Sequence, residues 1–269
     1  MTDRTRDLHY MTLALRLAAK GQGTTSPNPM VGALVVRQGR IVGQGFHLRP
    51  GTPHAEILAL RQAGDRARGA TLYVTLEPCC HLKKRTPPCV PEILCSGVRR
   101  VVMAMQDPNP SVKGKGAAAL RQAGLSVTVG VAQREVEELN KAYCHWMKTG
   151  RPYVTLKAGM TLDGQLATAS GESQWITGES SRREVHQLRG HVDAVLVGFG
   201  TVLADNPSLT ARTGPRFEQL TPRQPLRIIV DSRLRTPLKA QVLAQQDKAK
   251  TIIVTTAAAP AARRSALQK

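Results

Sequence analysis

Aromatic residues are scarce: two Trp, four Tyr and three Phe make up 3% of the 269 residues. That poverty removes the row of stacking rings on which single-stranded nucleic acid is usually laid. Acidic residues are also few, 19 against 38 Lys and Arg, for a formal net charge of +19. Such an excess can mark a nucleic-acid partner. Here it is spread, net +11 over residues 1–150 and +8 over 151–269, with no separate basic tail. The balance weighs against nucleic acid and leaves a small phosphorylated ligand as a local reason for basic residues. No run of about 18 uncharged apolar residues occurs, which argues against a membrane span. The start, Met1-Thr2-Asp3-Arg4-Thr5-Arg6-Asp7, is charged and leads into an amphipathic segment rather than the apolar core of a secretory signal. A cytoplasmic protein is expected. Cysteines number five, so they cannot all be paired with one another. Three of them cluster, and in a reducing compartment that pattern favours a metal over disulfides.

What is present is enough apolar sequence, 41%, to build ordinary cores. The length suggests two domains. Leu8, Met11, Leu15 and Ala18 recur at helical spacing over 5–20, and Gly21–Pro29 ends that helix in a loop. Val31–Val36 and Arg40–Phe46 read as strands of a hairpin turning at Gln38-Gly39. Pro53 suits the first turn of a helix running through Leu60. Strands follow at 71–76, 100–105 and 126–129, with helices at 91–96, 116–123 and 135–148. This alternation predicts an α/β sheet covered on both faces. Gly150-Arg151-Pro152 reads as a joint. Beyond it the pattern predicts strands at 153–158, 194–197, 227–230 and 251–255, a helix at 182–189, and a helix start in 257–262.

The chemistry concentrates in His54-Ala55-Glu56 and in the run from Glu77-Pro78-Cys79-Cys80-His81 to Thr86-Pro87-Pro88-Cys89. Zinc deaminases hold their metal with His/Cys/Cys and move protons with a Glu that is not a ligand. Three protein ligands leave a fourth position for water, whose acidity the metal raises. The carboxylate then carries the proton to the ring and the leaving ammonia. His54, Cys79 and Cys89 are the expected ligands of one zinc ion per chain, and Glu56 the expected proton shuttle. A closed structural site, with Cys80 or His81 as fourth ligand, is the competing arrangement. Buried apolar cysteines with a helix-capping His54 form the plainest one.

Pro27-Asn28-Pro29-Met30-Val31-Gly32, His47, Gly51–Glu56, Thr75–Cys79 and Arg85-Thr86-Pro87-Pro88-Cys89 together resemble the riboflavin-pathway pyrimidine deaminases. So do Asp107-Pro108-Asn109-Pro110 and Gly114-Lys115-Gly116. These deaminases form the N-terminal half of bifunctional deaminase–reductases. The loop between the two cysteines departs from the family pattern: it is one residue longer and carries Leu82-Lys83-Lys84 where a Gly is usual. The resemblance implies a cytidine-deaminase-like three-layer domain over 1–148. It also implies a diaminopyrimidinone substrate bearing a ribosylamino 5′-phosphate, with Asn28, His47, His81, Arg85 and Thr86 lining its pocket.

Residues 151–157, Met160–Gly164, Gly171–Thr177, Leu188-Arg189, Asp193-Ala194 and Gly198–Thr210 resemble the reductase half of the same family. Its fold is dihydrofolate-reductase-like and its cofactor NADPH. Taken alone, Gly198-Phe199-Gly200 is only a weak phosphate-loop signal. The resemblance places Gly159, Trp175, Thr201, Asp205 and Ser232 at the cofactor. It places Ser173, Arg189, Leu209 and Arg212 at the substrate, the arginines as phosphate partners. It also implies a reductase longer than residues 149–269 provide, so that half is expected to be incomplete and weakly active or inactive. A homo-oligomer is compatible with the resemblance.

Overall fold

The computed structural model describes residues 2–81, 86–212 and 223–268. Two compact units make up the chain, Met1–Thr155 and Leu156–Lys269.

The first unit is built on a five-stranded sheet, ordered β2-β1-β3-β4-β5. Its strands are β1 (Gly32–Arg37), β2 (Arg40–Phe46), β3 (Thr71–Leu76), β4 (Arg100–Met105) and β5 (Ser126–Val129). β1 runs antiparallel to both β2 and β3, and β3, β4 and β5 run parallel. Central strands buried on both faces read as continuous apolar runs, and alternate residues then go to opposite layers. Ala33, Val35, Leu72, Val74, Val101 and Met103 face one core. That layer holds α2 (Ala55–Ala63), α3 (Cys89–Cys95) and α4 (Lys115–Gln122). Leu34, Val36, Tyr73, Val102 and Ala104 face the other, with Tyr10, Met11 and Ala14 of α1 (Asp3–Ala18). Val136 of α5 (Gln133–Leu139) and Cys144 of α6 (Lys141–Thr149) complete it. Across this second layer, buried Asp7 accepts both guanidinium nitrogens of Arg100, at 2.8 and 2.6 Å, and the Tyr73 hydroxyl at 2.9 Å.

Two glycines of β2 let α2 lie close enough to hold the site. A Cβ on Gly43 would stand 2.0 Å from the Ala59 carbonyl, and one on Gly45 2.5 Å from that of Ala55. Substitution at either would push away the helix that carries Glu56.

The second unit has a three-stranded parallel sheet, β6 (Ala194–Gly198), β7 (Leu226–Val230) and β8 (Thr251–Val254), in chain order. α7 (Glu179–His191) precedes it, α8 (Phe199–Asp205) follows β6, and α9 (Ala261–Gln268) follows β8. One face packs: Val195, Val197, Ile229 and Ile253 meet Val202, Leu209 and Val242. Leu196, Val230, Ile252 and Val254 are exposed.

Three expectations change. The helix of 135–148 is two helices broken at Asn140, whose backbone leaves helical geometry (φ −106°, ψ 24°). No strand forms over 153–158, where Val154 and Leu156 are exposed and no described strand pairs with them. Pro53 lies outside α2, with His54 at the N-cap.

Candidate metal centre

Three elements meet at the C-terminal end of β3. His54 caps α2 without spending its side chain on the helix. Cys79 follows β3 through Glu77-Pro78, and Cys89 opens α3 behind Pro88. The Cys89 N–H donates to the Cys79 carbonyl at 3.0 Å and lies 3.4 Å from Cys79 Sγ; the Val90 N–H donates to the same carbonyl at 3.2 Å. Proline at 88 suits this start, because its fixed φ leads into a helix.

The result is a triangle of ligand atoms. His54 Nδ1 lies 3.5 Å from Cys79 Sγ and 3.2 Å from Cys89 Sγ, and the two sulfurs are 3.5 Å apart. Tetrahedral zinc with nitrogen and two sulfurs spans ligand–ligand edges of about 3.5–3.8 Å, so the donor set fits that ion in both chemistry and size. Among the described residues this is the cluster that could hold a metal ion, and it does not include Cys80. Cys80 instead packs against the apolar layer containing α2–α4, and burial raises its thiol pKa. The other ring nitrogen, His54 Nε2, is 3.0 Å from Thr86 Oγ1. Such a partner fixes the imidazole's orientation and tautomer.

Glu56 lies in the first turn of α2 and is 3% exposed. Burial pushes its carboxyl above the usual carboxylate range, partly offset by the charge of His54 and a hydrogen bond with Cys89. His47 packs edge-on against His54, with ring centroids 5.4 Å apart. Its Nε2 is 3.0 Å from Asn28 Nδ2, which, as a donor, makes Nε2 the acceptor. Burial foremost, then the His54 charge, lowers the His47 pKa to about 4, so the ring is neutral at ordinary pH. Asn28, His47, Glu56, Thr86 and the three candidate ligands thus gather around one point. His81 Nδ1 is buried without a hydrogen-bond partner among the described residues. Arg85 falls outside the described residues.

Sequence reasoning left one carboxylate without a role. Buried Glu77 accepts the N–H groups of Asp107 (3.2 Å), Gly114 (2.8 Å) and Ala117 (2.9 Å). It ties the Cys79 turn to the loop opening α4, where a Cβ on Gly116 would lie 2.1 Å from the Pro78 carbonyl. The Glu77-Pro78-Cys79 motif shows the residue, but its three partners lie 30 to 40 positions away.

In the second unit, Ser173 Oγ donates to Asp205 Oδ1 at 3.4 Å. Arg189 donates to the Thr210 carbonyl at 3.5 Å and Arg212 to Ser208 Oγ at 3.1 Å. Burial, then the neighbouring charge of Arg212, lowers the pKa of Arg189, so the two cations lie close enough to repel each other. Leu209 is buried between them in sequence, with φ at +54°. Trp175 is exposed and stacks under the Arg182 guanidinium, 4.4 Å from its ring centroid. Thr201 is exposed on α8. The Ser232 carbonyl, just past β7, accepts the Thr255 and Thr256 hydroxyls at 3.0 and 2.9 Å. Gly159 lies in an irregular segment near Thr177.

Residues 4–105 match the model of the cytidine and deoxycytidylate deaminase zinc-binding region, and residues 152–268 that of the RibD C-terminal domain. The class defined is therefore a zinc-binding deaminase domain followed by a RibD-type reductase domain. The riboflavin biosynthesis protein RibD of Aquifex aeolicus is 53% identical over 93% of this chain and 68% of its own length. That of Escherichia coli is 52% identical over 87% of this chain and 65% of its own. A crystal form of Acinetobacter baumannii RibD superposes with a TM-score of 0.90 at 41% identity, covering 98% of this chain and 73% of that one. A Thermotoga maritima structure titled as a diaminohydroxyphosphoribosylaminopyrimidine deaminase/5-amino-6-(5-phosphoribosylamino)uracil reductase gives 0.87 at 39% identity, over 99% and 78%. The chain belongs to the RibD family of riboflavin biosynthesis proteins, and it spans about two thirds of the length of these two curated relatives. Among the described residues no helix is long and apolar enough to cross a membrane.

Proposed function

We propose that the N-terminal domain, read from the sequence as residues 1–148, hydrolytically deaminates a diaminopyrimidinone carrying a ribosylamino 5′-phosphate. The observation that carries this is a buried carboxyl, Glu56, beside a His54/Cys79/Cys89 triangle of zinc dimensions. When bound, zinc supplies the Lewis acidity that makes water a competent nucleophile at neutral pH. Glu56 would pass the water's first proton to the ring nitrogen as the oxygen attacks, and its second, from the new carbon-bound hydroxyl, to the departing ammonia as the carbon–nitrogen bond breaks. Its burial favours the protonated form, and so suits a group that must hold a proton between steps. Neutral His47, held by Asn28, offers a fixed polar edge to the pyrimidine. His81 and Thr86 complete the wall on the side of the Cys79–Cys89 loop, and the family resemblance assigns Arg85 to the same substrate. Thr86 also orients His54. Thiolate ligands support the reading of a reducing, cytosolic setting.

The C-terminal domain, read from the sequence as residues 149–269, is taken as the reductase half. Gly159, Trp175, Thr201, Asp205 and Ser232 bind NADPH, and Ser173, Arg189, Leu209 and Arg212 bind the deaminated product. The fit to a nucleotide rests on placement: Gly198 and Ser232 stand at or just past the carboxyl ends of parallel strands, with Thr201 close by on α8, where such sheets bind nucleotides. When bound, NADPH would supply the hydride that converts the ribosyl chain to ribityl. Arg189 and Arg212, two close cations, are placed to receive the phosphate.

The decisive experiment is Glu56→Gln in the full chain. Zinc content should stay at one per chain while ammonia release falls by about 100-fold or more. Full activity in this variant would overturn the mechanism. Deamination of RNA in place of the free nucleotide would move the reading to a polynucleotide deaminase.

A further inference from the structure

The loop that carries Asn28 is held by a residue more than a hundred positions away. Antiparallel pairing of β1 with β3 runs from Val36↔Thr71 to Ala33↔Val74. β3 ends at Leu76, and the chain then turns away to bring Cys79 under His54. Met30, one register step beyond the end of β3, therefore has no strand partner on that side among the described residues. Side chains fill the place. The Gly32 N–H donates to Thr75 Oγ1 at 3.1 Å. The Met30 N–H donates to Asn140 Oδ1 at 2.8 Å, and Asn140 Nδ2 donates to the Met30 carbonyl at 3.0 Å. One primary amide thus reproduces both hydrogen bonds of a paired strand residue. Asn140 is 3% exposed, and the helix breaks at its position between α5 and α6.

Two residues before Met30, Asn28 is fixed by its own N–H to the Thr25 carbonyl (2.8 Å) and reaches His47 Nε2. On the other side of β1, the His47 N–H donates to the Val31 carbonyl at 2.9 Å. The segment from Asn28 to Val31 is consequently pinned from both edges, and only the Asn140 edge is made by a side chain from the end of the unit. We propose that Asn140 is a positioning residue of the deaminase pocket, clamping the Met30 peptide so that Asn28 and His47 present one fixed polar edge to the pyrimidine. This rests on the deaminase reading above.

The test is a double-mutant cycle in the full, zinc-loaded chain with Asn28→Ala and Asn140→Ala, reading ammonia release from the pyrimidine nucleotide. Asn140→Ala should keep one zinc per chain and raise KM about tenfold, the scale of one lost net hydrogen bond, with a smaller change in kcat. Acting through Asn28, it should add nothing to Asn28→Ala in the double variant. Asn140→Asp keeps the acceptor for the Met30 N–H, loses the donor to its carbonyl, and should fall between. It replaces the alanine variant in the cycle if that variant does not fold. Additive losses, or loss of zinc with KM unchanged, would overturn the proposal alone. A zinc-bound wild type that releases no ammonia would overturn the deaminase reading, and this proposal with it.

Discussion

Cys89 and Cys79, ten residues apart, are joined through the backbone: the Cys89 amide donates to the Cys79 carbonyl at 3.0 Å and approaches its sulfur at 3.4 Å. An N–H directed at a sulfur favours the thiolate, as does the start of a helix. The two ligands are therefore brought together by chain geometry, and whatever the longer loop between them does, its two ends are fixed.

Cysteine replacement should accordingly sort the three neighbouring thiols. Cys79→Ser and Cys89→Ser should each drop zinc from one per chain to well below, read by elemental analysis of the purified protein. Cys80→Ser should keep zinc and ammonia release, because that thiol is not part of the His54/Cys79/Cys89 triangle. Zinc loss on Cys80→Ser with retention on Cys79→Ser would reverse the ligand register.

The strands and the site were legible for the same reason: both are local patterns. Val31–Val36 and Thr71–Leu76 alternate between two covered faces, and His54-Ala55-Glu56 shows its spacing directly. What was illegible was non-local. Nothing near residue 140 announces that an asparagine will leave its helix to clamp Met30, 110 positions back. Glu77 likewise shows its carboxylate but not the three amides it gathers. The strand expected at 153–158 has the right composition, but a strand also needs a neighbour, and composition does not supply one.

That missing pairing bears on the second half of the reaction. Leu196, Val230, Ile252 and Val254 line an uncovered sheet face, and Val154 and Leu156 lie exposed outside any strand. A hydride-transfer site needs its cofactor held within a narrow geometry by a rigid, water-excluding frame. NADPH oxidation by this chain, followed by the loss of its absorbance with the deaminated product supplied, should therefore be weak or absent while ammonia release continues. Normal turnover would show that the frame is adequate as it stands.

His47 should leave a signature in acid. Its folded-state pKa is about 4 against the ordinary 6.5, chiefly from burial. Above pH 6.5 the ring is neutral whether the chain is folded or unfolded, so stability is at its full value there. Between 6.5 and 4 the unfolded chain takes up a proton that the folded one refuses, so stability falls as pH falls. Below 4 the loss is complete, at roughly 3 kcal/mol for such a displacement. Urea unfolding of wild type and His47→Gln at matched pH values isolates this contribution, since acid release of zinc acts on both proteins. The wild type should lose more stability than the variant between pH 6.5 and 4, and the two should run parallel above it. Equal losses across that window would mean that His47 is protonated in the folded protein, and a neutral acceptor for Asn28 could not then be its role.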